Sequence, residues 1–185
     1  MGDESTTPRI PLLERDQVTP EVANVYDALL KARGVVPNMF KTLAHTPALA
    51  LATAGYLKAL LSDGALPGFY KELIATRLSV LLGSDYAIRA HTLSARQKGA
   101  TEAQIDAAKG DFENGPFTDA QKIGFRAAER LHRSPVEITD EFFAMLKQHF
   151  TDPQIVELIA TAAAFELFPR FVDGLRIPIT PPQKV

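Results

Sequence analysis

The stretch KELIATRLSVLLGSDYAIRAH, residues 71–91, reads as two helices meeting at Gly83. Glycine ends a helix at little cost because it enters the left-handed conformation freely, and Ser84 directly after it is an expected N-cap for the next helix. On the first helix Glu72, Thr76 and Ser79 recur at three- and four-residue steps and share a face. On the second, Ser84, Ala87 or Ile88, and His91 do the same. A tight antiparallel return at Gly83 brings the two faces together and sets a carboxylate beside an imidazole, which is general acid/base geometry in outline.

The same helical punctuation continues in both directions. Thr101-Glu-Ala-Gln104, Thr118-Asp-Ala-Gln121 and Thr151-Asp-Pro-Gln154 each pair a Thr cap with Gln three residues on and an acid in the first turn. Thr19-Pro20 and Thr46-Pro47 add two starts, since proline at the first helical position gives up only an N–H that has no intrahelical partner. Glycines at 34, 64, 83, 99, 110 and 174 supply the stops. These signals predict helices near 20–33, 47–63, 67–82, 85–97, 102–109, 119–132, 140–149 and 152–173. No segment alternates as a half-buried strand would, so the expected fold class is all-α.

Residues 155–168, IVELIATAAAFELF, are apolar nearly all round apart from Glu157 and Glu166, the pattern of a helix covered by other helices or another subunit. The pentapeptide ELIAT occurs at Glu72–Thr76 and again at Glu157–Thr161; it is either the trace of a duplicated helical hairpin or a chance echo in an Ala- and Leu-rich chain. From Ile177 to Val185, Pro178, Pro181 and Pro182 predict an extended tail lying over the surface or a neighbouring subunit.

Composition narrows the function. With 185 residues and 46% hydrophobic side chains the chain suits one domain, residues 1–185, with extended N- and C-terminal tails. A net charge of -2 leaves no single-sign field for nucleic acid or an anionic membrane surface. Zero cysteines exclude disulfides, thiolate metal sites and thiol catalysis. His45, His132 and His149 lack two-ligand spacing, so no metal is expected, and no phosphate loop or dinucleotide fingerprint implies a cofactor. The first residues, MGDESTTPR, are acidic and polar where a secretory signal is basic and then apolar, and no run is long enough to span a bilayer, which predicts a cytoplasmic protein. Met1-Gly2 with Thr6 formally fits a myristoylation pattern, without a polybasic stretch to support an anchor.

Glu72, position 84, position 87 and His91 match the spacing E-x11-C-x2-C-x3-H, and Gly83, Asp85 and Tyr86 resemble the usual "GCDYC" surroundings, of the alkylhydroperoxidase D-like and carboxymuconolactone decarboxylase superfamily. GVVPNMF (34–40), ELI (72–74), ARQKGAT (95–101) and PRFVDGLRIPI (169–179) resemble its flanking segments, with Pro169 where many members have Asn. Both cysteine positions differ: Ser84 stands at the first and Ala87 at the second. The resemblance implies an alkylhydroperoxidase D-like helical bundle assembled as a homo-oligomer, trimer or hexamer.

In thiol members of that superfamily the Glu and His activate a cysteine whose disulfide is recycled by a lipoyl-type partner. A serine hydroxyl and an alanine methyl cannot repeat that cycle, so a thiol peroxidase is excluded. The decarboxylase members, which move protons at carbon on a small lactone carboxylic acid, keep a cofactor-free lyase or isomerase reading open. It gives proton transfer to His91 and orientation to Glu72, with hydroxyls from Tyr86 and Ser84 and a carboxylate clamp from Arg77 or Arg89. Each residue also has a structural reading: Ser84 as the N-cap, Tyr86 as a core ring, His91 as a packed histidine, the arginines as solvated or subunit-contact charges. Two further readings are a binding or scaffold protein that has lost its redox centre, and a cysteine-independent peroxidase.

Overall fold

A computed structural model describes residues 7–181, among which there are nine α-helices and no strand. They are α1 (Pro20–Arg33), α2 (Asn38–Leu43), α3 (Pro47–Leu61), α4 (Gly68–Leu81), α5 (Asp85–Gln97), α6 (Glu102–Lys109), α7 (Asp119–Arg133), α8 (Asp140–His149) and α9 (Asp152–Gly174). The fold class is therefore all-α, as the sequence predicts. The additional helix, α2, is six residues long and opens after Pro37, too short to show a period. The Met1-Gly2 and Thr6 pattern and the end of the C-terminal tail lie outside the described residues.

The Thr-based starts are built as the sequence predicts. Thr101 and Thr118 each accept the N–H of the Gln three residues on, whose side chain returns to the Thr N–H. At Thr151 the N–H reaches Gln154 Oε1 at 2.8 Å. These reciprocal bonds satisfy donors that a helix start otherwise leaves open.

The described residues form two compact units, one of residues 7–59 with 170–181, the other Leu60–Pro169. In the first, Tyr26 of α1 is buried and donates its hydroxyl to the Leu13 and Phe40 carbonyls at 3.1 and 3.4 Å. Asn38 of α2 holds the tail through its N–H to Thr180 Oγ1 (2.9 Å) and its side-chain amide to the Pro178 carbonyl (3.0 Å). From Ile177 to Pro181 the tail carries no regular secondary structure.

In the second unit α4 packs against α5, α6 and α7. It is the most thoroughly covered helix there, with Leu73, Ile74, Ala75 and Leu78 fully buried. Phe125 of α7 stacks edge-on to Tyr70 of α4 at 5.6 Å between ring centroids and also meets Phe112 and Phe117. Burying these rings against one another is a large part of what holds α4 to α7. Within the single chain the apolar stretch 155–168 is covered only in part, for Val156 and Leu167 of α9 are 67% and 59% exposed. α4 tolerates burial of Lys71, Glu72, Thr76 and Ser79 because each finds a partner, which a hydropathy pattern does not show.

Candidate functional site

Gly83 closes the α4–α5 hairpin with φ 68°, the left-handed region that disfavours a Cβ. Ser84 follows as N-cap, its buried hydroxyl accepting the Ala87 N–H at 3.4 Å. This tight return antiparallels the two helices, and the residues nineteen positions apart meet: His91 Nδ1 lies 2.7 Å from Glu72 Oε2. The Glu72 side chain is fully buried and the His91 side chain 12% exposed. Phe165 of α9 supports the imidazole edge-on, 4.3 Å between ring centroids.

The other carboxylate oxygen is also engaged. Glu72 Oε1 accepts from Ser94 Oγ at 2.7 Å and from Lys98 Nζ at 2.6 Å. Burial alone would push the Glu72 carboxyl up; hydrogen bonding to His91 and the charges of His91 and Lys98 outweigh it and hold the group down at about 2. Glu72 is thus an anion with no proton to give, so the short contact needs its hydrogen from His91 Nδ1. Nε2 is then the ring nitrogen left to exchange a proton with a bound molecule.

The sequence pairs Glu72 with His91, and the structure adds Ser94 and Lys98 to them. The signal was there: residues 91, 94 and 98 continue the same helical period that joins Ser84 to His91. Tyr86 is buried within the first turns of α5. The two arginines part company. Arg77 bonds Glu129 Oε1 through Nε at 2.7 Å and reaches the Lys109 and Gly110 carbonyls at 3.3 and 3.0 Å, whereas Arg89 is exposed. His45 and His132 are occupied elsewhere, against the Pro11 carbonyl and the Glu166 carboxylate. Two surface cavities of about 270 and 250 Å³ lie within the first unit, and neither is lined by Glu72 or His91.

Residues 47–111, which include the whole Glu72–His91 hairpin, match the model of the carboxymuconolactone decarboxylase family. An uncharacterized protein of Bacillus subtilis, YdfG, is 28% identical over 90 residues, 48% of this chain, and an uncharacterized protein of Cupriavidus necator is 42% identical over 59 residues, 32% of this chain. These matches span 61% and 52% of those relatives' own lengths. The alkylhydroperoxidase AhpD core protein of Ralstonia eutropha, described as peroxidase-related, superposes with a TM-score of 0.86 over 94% of this chain and 92% of that one, at 24% identity. A cysteine-to-alanine variant of the debrominase Bmp8, in complex with 2,3,4-tribromopyrrole, does so at 0.80 over 97% and 93%, at 22% identity. At such identities the two structures establish a shared fold.

Proposed function

We propose that this chain, a member of the alkylhydroperoxidase D-like and carboxymuconolactone decarboxylase superfamily that lacks both cysteines, performs cofactor-free acid/base chemistry of lyase or isomerase type on a small carboxylated or lactone-like metabolite. The observation that carries the reading is the 2.7 Å contact between a fully buried Glu72 and a partly exposed His91. His91 Nε2 takes a proton from a carbon acidified by a neighbouring carbonyl, and the electron pair left behind delocalises onto that carbonyl oxygen. The imidazolium then returns the proton to a second carbon of the same molecule, so no oxidant or external acid is consumed. Glu72 stabilises the imidazolium and fixes the ring. Ser84 and Tyr86 stand at the start of the same helix as candidate hydroxyls, Ser84 while capping it. With Arg77 engaged by Glu129, the exposed Arg89 is the better clamp for a substrate carboxylate.

The test is a thermal-unfolding screen of the protein and His91→Ala against small aromatic acids, muconolactone-type lactones and organic hydroperoxides. A ligand at about a hundred times its dissociation constant adds about 2.7 kcal/mol, a rise of a few degrees for a chain of this size. The expected result is a lactone or acid that shifts the protein and loses that shift, and all turnover, in His91→Ala. A second reading, a binding or scaffold protein, is favoured by Ala87, whose methyl stands at the second cysteine position; no shift with any compound would support it. Self-association is part of the proposal, supported by the exposed Val156 and Leu167 of α9, and light scattering tests it.

A further inference from the structure

We propose that Lys98, with Ser94 beside it, is the positioning residue that makes the Glu72–His91 pair a proton acceptor: it occupies Oε1, leaves Oε2 to His91, and supplies a fixed positive charge at the pair. The inference rests on the reading of His91 as the proton-transfer group.

Geometry carries it. Lys98 Nζ lies 2.6 Å from Glu72 Oε1 and 2.7 Å from the Leu61 carbonyl. Two acceptors on one ammonium pin the end of a four-carbon stem that is otherwise free to turn. Ser94 Oγ, 2.7 Å away, shares the same carboxylate oxygen. With Oε1 held on two sides, the carboxylate cannot rotate away from the imidazole, and the ring keeps one orientation.

Charge gives the arrangement a direction. Glu72 contributes one negative charge to a buried site, and the Lys98 ammonium already offsets it. A proton on His91 adds a second positive charge beside a single anion. Once the Lys98 charge is removed, that proton becomes the main compensation for the buried carboxylate, and His91 holds it more firmly. Of the charged groups on the surrounding helices, Lys71 is bound to Glu157, Arg77 to Glu129, Lys109 to Asp106 and His132 to Glu166, while Arg89, on α5 with His91, is exposed. Phe165 presents an uncharged ring to His91.

The experiment follows the imidazole nitrogens of His91 by NMR as a function of pH in the full-length protein and in Lys98→Gln, Lys98→Met and Lys98→Arg. Gln keeps a hydrogen-bond donor without the charge, Met removes both, and Arg keeps both. The expected result is a His91 proton affinity about tenfold higher in the Gln and Met variants, and close to the unmodified protein in Lys98→Arg. A lowered melting temperature with an unmoved titration in Lys98→Gln would overturn the proposal and leave Lys98 a tie to Leu61. If Lys98→Met does not fold, Lys98→Gln decides. Since the titration needs no substrate, a moved midpoint without turnover overturns the proposed function alone, and turnover with an unmoved midpoint overturns this inference alone.

Discussion

Glu72 and Glu157 open the two copies of ELIAT, and in both copies the Thr hydroxyl donates back to the carbonyl of its own Glu, at 2.9 Å for Thr76 and 2.7 Å for Thr161. Beyond that shared turn the two carboxylates do different work. Glu72 points to a histidine on α5 and to the lysine that caps the end of that helix. Glu157 accepts the N–H groups of Ala65 and Leu66 at 2.9 and 3.0 Å and the ammonium of the fully buried Lys71 at 2.9 Å. Gly64 belongs to that second arrangement, because a Cβ there would run into the Glu157 carboxylate. The helices also continue differently: α4 ends at Leu81, five residues after its copy, while α9 runs on through Pro169 to Gly174. Identical local sequence therefore makes identical local structure, and the partner across the gap decides whether the acid fastens a loop or holds an imidazole.

The largest effect on this contrast comes from Glu157→Ala. It strips the partner from Lys71, which has no exposed surface, and leaves two loop N–H groups without their acceptor. A buried charge left uncompensated costs about 3–5 kcal/mol, and chemical denaturation will show it as a lower midpoint with the Glu72–His91 contact intact. Equal stability in this variant would mean that Lys71 finds other compensation.

Acid separates the two next. A carboxyl held at about 2 in the fold, against 4.5 ordinarily, gives stability that is fully present above about pH 4.5 and is lost as the pH falls toward 2. The amount is on the order of 3 kcal/mol. Unfolding free energies at about pH 6 and about pH 3 will differ less in Glu72→Gln than in the unmodified protein, by about 2 kcal/mol, the share lost before the pH reaches the folded-state value. Glu157 is also held below its ordinary value, with burial opposing and the Leu66 N–H, Lys71 and Ala65 N–H favouring the charge, so Glu72→Gln keeps part of the acid sensitivity.

The smallest effect belongs to the shared part. Thr76→Val and Thr161→Val each remove one hydroxyl bond to a carbonyl that remains in its helix, and each will cost under about 1 kcal/mol. Similar losses in both confirm that the ELIAT turn is structurally common ground; a much larger loss at Thr76 would place that hydroxyl in the Glu72 site.

Much of the fold was legible because helix ends are local events. Ser84, Thr101 and Thr118 accept N–H groups three residues on, and Gly83 turns within one residue; these need nothing distant. The half of the site made by Glu72 and His91 was legible for the same reason, since a hairpin brings near-sequence faces together. α2 was not, for it has too few residues to show a period. The covering of α4 was not either, because its buried polar residues are stabilised by partners as distant as Glu157.

By itself, the sequence determined an all-α chain, the positions of most helix ends, the lack of cysteine at positions 84 and 87 and the meeting of an acid with a histidine across Gly83. Tertiary structure decided that the Glu157 copy of the pentapeptide fastens a loop and Lys71, that Lys98 and Ser94 join Glu72 in the candidate site, and that Arg77 is bound while Arg89 is exposed. The physical reason is range. Capping and periodicity act within a few residues and are written in the local sequence, whereas the compensation of a buried charge depends on what packing brings to it from elsewhere in the chain.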